Sequence, residues 1–245
     1  MPTTNFSSLI LKGAGTRGIP EIPGGGGSSF TNTYSLDFDG IDDIITFSTI
    51  TFDATSGLTL SCWIKYTAAS AGGSLNWLCS NGGTGGTSSQ FNYRLISDGR
   101  WFTYFQGSPR DTGINGLNDG NWHHIASTVN YSNGDVKFYK DGVESATIQT
   151  WGSTYSTAKL QVIGAATSAA VYPYGGFVDE FAVFESLLTP TEISTIATAP
   201  SDLSTYNPVA WYRFEEGSGT TAIDSGTGGN NGTISGATYS TDVPT

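Results

Sequence analysis

The sequence predicts an all-β fold of two packed antiparallel sheets, with one short helix and an extended N-terminal arm. The 245 residues include 33 glycines, 13% are aromatic and 13% are charged, which is typical of short strands joined by tight turns. Asp-Gly or Asn-Gly pairs interrupt apolar alternation at five places: 39–40, 81–82, 98–99, 133–134 and 141–142. These pairs favour hairpin turns, because asparagine, aspartate and glycine tolerate positive φ.

Residues 1–33 are predicted to form an N-terminal arm and Gly-rich linker. One apolar patch at 9–11 is too small to form a core, and the glycine-rich stretch 24–29 follows it. The arm therefore packs on the main domain or docks onto another protein. We expect neither a signal peptide, since no basic start precedes an apolar run, nor a membrane span.

The segment 120–148 predicts a β-meander. Its first strand covers 122–131, a turn follows at 132–134, and the second strand runs from Val136 to Tyr139 before the turn at 141–142. Val136 and Phe138 share one face of that strand with Lys140, and the opposite face is more polar. The alternation predicts a half-buried sheet.

A later run, 175–188, predicts a central strand, because both of its faces are apolar. Strict alternation assigns the run to two faces: Phe177, Asp179, Phe181 and Val183 on one, and Val178, Glu180, Ala182 and Phe184 on the other.

A single helix is predicted directly after this strand. Thr189 suits the N-cap, Pro190 the first helical position, and Glu192 completes a capping box. Ile193 and Ile196 are spaced for one apolar stripe. A helix this short is expected to cover one end of the sandwich.

Six stretches carry a resemblance to a known family, and together they cover most of residues 34–197. In order they are YSLDFDGIDDIITF (34–47), LTLSCWIKY (58–66), GNWHHIASTV (120–129), VKFYKDGV (136–143), LQVIGA (160–165) and GGFVDEFAVFESLLTPTEI (175–193). They resemble laminin G-like jelly rolls of the concanavalin A-like lectin and glucanase superfamily. The resemblance implies a two-sheet antiparallel jelly-roll sandwich over 34–245.

The C-terminal segment resembles the usual beginning of such a domain, an aromatic strand followed by a Gly/Asn-rich turn. We therefore predict that the opening strand is supplied from the C-terminal segment 208–234. The alternatives are a truncated second module or a strand donated to a neighbouring subunit. Fewer than 40 residues cannot form a second core alone.

The arrangement also resembles modules of structural proteins of tailed bacteriophages. It implies a non-enzymatic virion protein, as a capsid decoration, fibre or tail-associated protein, located in the virion. The arm would bind other virion proteins, the jelly roll cell-surface glycans, and the chain could form a homo-oligomer. The alternative is a carbohydrate-binding or adhesion module of a cellular surface protein or carbohydrate-active enzyme; a glycanase with an unfamiliar site is a third hypothesis.

The charge argues against nucleic acid as a partner, because 21 acidic residues outnumber 10 Lys and Arg and give a net charge of -11. Acidic surfaces suit solubility, salt tolerance or divalent cations. Since many laminin G-like domains bind one Ca²⁺ near a rim, Asp39, Asp42 and Asp224 are the predicted ligands. The competing interpretation is that they are turn formers making Asx hydrogen bonds.

Aromatic residues in predicted loops are the candidates for stacking on sugar rings: Trp151, Tyr155, Tyr172 and Tyr174. Packing in the core is the competing interpretation.

No Glu-x-Asp-x-x-Glu motif occurs, and adjacent strand residues such as His123 and His124 point to opposite faces, so no catalytic site is predicted. Cys62 and Cys79 are predicted to be reduced.

Overall fold

The computed structural model describes residues 30–53, 55, 57–69, 75–82, 92–105, 108–145, 149–150 and 157–245. The predictions for the arm up to residue 29 and for Trp151 and Tyr155 lie outside these residues. One structural unit extends from Thr31 to Thr245 and contains every strand of the described chain.

The described residues form short strands and one α-helix. The strands are β1 (Ser35–Asp39), β2 (Ile44–Asp53), β3 (Leu58–Lys65), β4 (Asn76–Ser80), β5 (Tyr93–Leu95), β6 (Trp101–Phe105), β7 (Ser108–Asp111), β8 (His123–Val129), β9 (Asp135–Lys140), β10 (Val143–Glu144), β11 (Gln149–Thr150), β12 (Thr157–Ile163), β13 (Gly175–Phe184), β14 (Ala210–Tyr212), β15 (Thr221–Ala222), β16 (Gly232–Ser235) and β17 (Thr238–Ser240). The helix is α1 (Pro190–Ile196), and a 3₁₀ turn covers Ser204–Tyr206.

Two antiparallel sheets contain all these strands. Sheet A has the order β10-β9-β8-β3-β13-β1-β17, with β11 also paired to β9 and β14 to β13. Sheet B has the order β15-β16-β2-β12-β4-β5-β6-β7. The all-β sandwich is therefore confirmed, and so is the meander, which appears as β8, β9 and β10.

The core lies between the sheets and is built from alternate residues of each strand. Leu60 of β3 and Phe138 of β9 are fully buried on the inner side of sheet A. Trp101 of sheet B packs edge-on against Phe138 and Tyr93, with ring centroids 5.1 and 5.2 Å apart. Burial of such large side chains supplies most of the driving force for folding.

The central strand β13 departs from the predicted alternation. Its pairing with β3 shifts between Asp179 and Ala182, and Glu180 has a φ of 48°. Such a β-bulge inserts one extra residue and reverses the faces beyond it. Phe181 therefore packs in the core while Phe177 lies outside it, so the prediction that these two side chains share one face was wrong.

The C-terminal segment adds strands to both sheets of its own chain. Within β14, Tyr212 pairs with Phe181 of β13, while β16 pairs with β2 and β17 with β1. Tyr212 is fully buried and its ring lies 5.0 Å from that of Phe47. Strands from the end of the chain thus close the same sandwich that the earlier strands begin.

The helix α1 begins as predicted. The Thr189 side chain accepts a hydrogen bond from the backbone N–H of Glu192, and the Glu192 carboxylate accepts one from the backbone N–H of Thr189. Ile196 and Leu203 face sheet A across a cavity of about 10 Å³, so this segment covers an outer face rather than an end of the sandwich. The described chain contains no helix that is both long and apolar enough to span a membrane.

A candidate ligand-binding groove

The outer face of sheet A, the face turned away from sheet B, carries a row of three half-buried side chains. Asp37 of β1 pairs with Phe177 of β13, which in turn pairs with Lys65 of β3. The neighbours of these residues along each strand, such as Leu36 and Ile64, point into the core. Alternation therefore turns the row outwards.

This row lines an open groove of about 340 Å³. Asp39, Tyr66 and Thr67 also contribute to its walls, together with two glycines. One of these, Gly176, has a φ of 139°, and a Cβ there would lie 2.5 Å from the Lys65 carbonyl oxygen. Only glycine allows the close approach of β13 to β3 at this point.

Two half-buried aromatic rings and a lysine stand beside each other at the groove. The centroids of Trp122 and Phe177 are 6.1 Å apart, and Lys65 Nζ lies 5.6 Å from the Phe177 centroid. Asp242 holds this group from the C-terminal segment: its Oδ1 accepts a 2.9 Å hydrogen bond from Trp122 Nε1, and its Oδ2 pairs with Lys65. The Asp242 carbonyl accepts a 2.7 Å hydrogen bond from the Ser35 hydroxyl.

The groove is electrostatically negative. Burial raises the pKa of Asp37, and the Asp39 and Asp242 carboxylates raise it further. Burial opposes ionisation of Asp242 as well, but hydrogen bonds from Lys65 and Trp122 lower its pKa. In the described part of the chain, no amide or side chain donates a hydrogen bond to the Asp37 carboxylate.

Beside the groove, the loop between β1 and β2 gathers three carboxylates. Oxygens of Asp39, Asp42 and Asp43 all lie within 4.8 Å of one another. Asp43 accepts a hydrogen bond from the backbone N–H of Asp39, and Asp39 accepts one from that of Ile41, each 2.7 Å long. The predicted Asx turn is therefore present, and the same oxygens offer the hard ligands that Ca²⁺ prefers.

Asp224 does not join this cluster, so the prediction of it as a third ligand was wrong. Its Oδ1 accepts 2.8 Å hydrogen bonds from the backbone N–H groups of Trp211 and Gly226, and its Oδ2 accepts one from Asn230. These donors fasten the long turn after β14. Asp43, which was not among the predicted ligands, is the third member of the cluster.

A family model of the laminin G type, described as the concanavalin A-like lectin/glucanases superfamily, matches residues 39–194. The chain belongs to this superfamily. It is 28% identical over 145 residues to the rat Sushi, von Willebrand factor type A, EGF and pentraxin domain-containing protein 1. That match covers 55% of this chain and 4% of the rat protein.

Solved structures that share the superfamily fold include bacterial and animal proteins. A candidate carbohydrate binding protein from Bacteroides ovatus superposes with a TM-score of 0.64 at 18% identity, covering 88% of this chain and 62% of that chain. A heptameric SAP-like pentraxin from Limulus polyphemus gives 0.51 at 18% identity, covering 68% and 82%. Likeness at this level of identity establishes the fold alone.

The superfamily includes glucanases. Among the described residues, a histidine and a serine hydroxyl lie close together, but both are buried. His124 Nε2 lies 2.8 Å from Ser61 Oγ, yet both residues are at most 2% exposed beneath the α1 segment. Burial lowers the pKa of His124 to about 4. His123 instead contacts Asp119 and Asp141.

The predicted aromatic ligands are placed differently. Tyr174 is fully buried, its hydroxyl donates to the Phe177 carbonyl at 3.0 Å, and its ring packs on Phe38, so the prediction of it as an exposed stacking residue was wrong. Tyr172 is 44% exposed and has a φ of 56°. Its role in binding stays a prediction.

Sequence reasoning missed Asp37, Lys65 and Phe177 as groove residues, and Trp122 as their neighbour. Strict alternation had assigned Phe177 to the face of Phe181, and the bulge separates the two. Asp37 carried a usable signal, because it alternates with Leu36 and Phe38 in an apolar strand. The two cysteines, Cys62 and Cys79, are buried and unpaired as predicted.

Proposed function

We propose that the chain is a non-catalytic carbohydrate-binding module whose ligand lies in the groove over Phe177. The observation that carries this proposal is the half-buried Phe177 ring between Asp37 and Lys65 in an open groove, with the Trp122 ring beside it. An aromatic face packs on the apolar face of a sugar ring, and flanking charged groups fix its hydroxyls. Asp242 orients Trp122 and Lys65 before the ligand arrives, which reduces the entropy lost on binding.

The comparisons support a cellular setting better than a viral one. The related rat and Limulus proteins and the Bacteroides structure are cellular, and the last is described in terms of carbohydrate binding. We therefore favour a carbohydrate-binding or adhesion module of a larger protein. The virion role, binding of virion proteins by the arm and homo-oligomer formation stay predictions of the sequence.

Replacing Phe177 with alanine is expected to weaken glycan binding about tenfold or more, because the ring supplies stacking area in the groove. Isothermal titration calorimetry against oligosaccharides selected from a glycan array measures the effect. Phe102→Ala is the matched control, since Phe102 is a half-buried aromatic residue on the outer face of sheet B. If Phe177→Ala bound the glycan normally and Phe102→Ala bound it more weakly, the binding site would lie on sheet B instead.

We also propose that the loop of Asp39, Asp42 and Asp43 binds Ca²⁺ at the edge of the groove. The support is the donor set, three carboxylates within 4.8 Å, which suits an ion that takes oxygen ligands. The ion would offset the repulsion among these carboxylates, and burial already raises the pKa of Asp43. Asp39 lines both the loop and the groove, so the ion would add positive charge beside the ligand.

Calcium is expected to raise the melting temperature, since a ligand at about 100 times its Kd stabilises the folded state by about 2.7 kcal/mol. Asp42→Asn should abolish the increase in melting temperature, because it removes one of the three carboxylates. Asp42 is exposed and takes part in neither loop hydrogen bond, so the substitution leaves the turn intact. Differential scanning calorimetry with Ca²⁺, and with Mg²⁺ as the control, provides the measurement. An identical increase in the variant would place the ion elsewhere.

A further inference from the structure

We propose that Asp37 anchors the ligand and that the groove is built for a glycan that carries free amino groups. This inference rests on the proposed function, that the groove binds a glycan. It names the chemical class of that glycan and the side chain that selects it.

The charge of the groove is unbalanced. The Asp37 carboxylate is half-buried and receives no hydrogen bond from the described residues. Lys65, the cation in the groove wall, is already paired with Asp242. A partly desolvated carboxylate without a donor is costly, and a charge-assisted hydrogen bond from an ammonium group removes that cost.

The aromatic residues of the groove also favour an amino sugar. The Phe177 ring already accepts a cation, because Lys65 Nζ lies 5.6 Å from its centroid, and Trp122 stands next to it. Aromatic faces attract ammonium groups as well as the apolar faces of sugars. An amino sugar stacked here would place its ammonium group against Asp37. Glycans with carboxylate or sulfate groups would instead meet the repulsion of Asp37.

The test compares three probes of equal length by calorimetry near pH 6: a β-1,4-linked glucosamine oligomer, its N-acetylated counterpart and an oligogalacturonate. We expect the aminated oligomer to bind about tenfold tighter than the acetylated one and the uronate to bind weakest. Asp37→Asn should lower the affinity for the aminated oligomer to that of the acetylated oligomer and leave the latter unchanged. The melting temperature of the variant controls for folding.

Several outcomes would overturn the inference. Equal or tighter binding of the acetylated oligomer by the wild-type protein, or equal losses for both probes in Asp37→Asn, would remove amino-group selection. If glycan binding still required Phe177 in either case, the proposed function would survive. A charge-matched lysine oligopeptide that bound as tightly as the aminated oligomer would show that the groove recognises charge rather than a sugar. If none of the three glycans bound, the inference would fail, whereas the proposed function would fail only if no oligosaccharide from the glycan array bound in a way that depends on Phe177.

Discussion

Replacing Trp211 with alanine is expected to lower the free energy of unfolding by about 3–5 kcal/mol, as for other buried aromatic residues. Trp211 is 5% exposed on β14, and its Nε1 donates a 2.5 Å hydrogen bond to Glu180 Oε2. The Arg213 guanidinium lies 5.3 Å from the ring centroid. The substitution would leave a cavity and also remove a donor from a buried carboxylate, which adds to the cost.

Urea denaturation followed by circular dichroism measures this loss. Trp211→Phe keeps most of the packing but removes the N–H donor, so it should cost less, about 1–3 kcal/mol. Tyr172→Ala, at a residue 44% exposed, is the control and should change stability by less than about 1 kcal/mol. A change that small for Trp211→Ala would mean that β14 is not an integral strand of sheet A.

Stability is expected to decrease as the pH rises from about 5 to about 9, and Asp179→Asn should remove much of this decrease. Asp179 and Glu180 lie side by side, buried at the bulge of β13. Burial raises the pKa of Asp179 to about 8, and the adjacent Glu180 carboxylate adds to the shift. Burial also raises the pKa of Glu180 to about 7, although Arg213 opposes this.

The direction of this change is set by proton binding in the folded and unfolded states. The unfolded chain releases the Asp179 proton near its ordinary pKa of 3.8, whereas the folded chain holds it until about pH 8. Between these values the folded state binds more protons, so each rise in pH favours unfolding. Each pKa unit corresponds to about 1.4 kcal/mol, so the pair has a potential effect of several kcal/mol.

Burial outweighs the hydrogen bonds that favour an ionised Asp179. Its Oδ2 accepts a 2.9 Å hydrogen bond from Asn32 Nδ2, and its Oδ1 accepts a 2.8 Å hydrogen bond from the backbone N–H of Glu180. Both bonds lower the pKa of Asp179, but the loss of hydration and the neighbouring Glu180 carboxylate raise it by more.

Urea denaturation at pH 5, 7 and 9 tests this expectation. Asp179→Asn should be more stable than the wild-type protein at pH 9 and should show a shallower dependence on pH. Asp98→Asn, at an exposed carboxylate paired with Arg100, is the control and should retain the wild-type slope. An unchanged slope in Asp179→Asn would mean that Asp179 is ionised in the folded protein across this range.

The sequence alone was sufficient for features that depend on neighbouring residues. The turns at Asp-Gly and Asn-Gly pairs, the alternation of β9 and the capping box of α1 each arise within a few residues. For example, Thr189 and Glu192 bond to each other's backbone whatever lies beyond the helix. The pair at 39–40 does form a turn, but it joins β1 of sheet A to β2 of sheet B, so the prediction of a hairpin there was wrong. The acidic loop around Asp39 and Asp42 is local in the same sense, and its residues do come together.

Only the tertiary structure decided which residues form the groove. Phe177 faces outwards because pairing with β3 requires a bulge at Glu180, and Asp242 reaches Trp122 across 120 residues of chain. Asp224 accepts hydrogen bonds from backbone N–H groups of the C-terminal segment and so does not join the acidic loop; sequence spacing does not reveal these bonds. Periodicity and turn chemistry thus determined the strands and the helix of this protein, because they act between near neighbours. Register between distant strands determined the site, because it depends on how the whole sandwich packs.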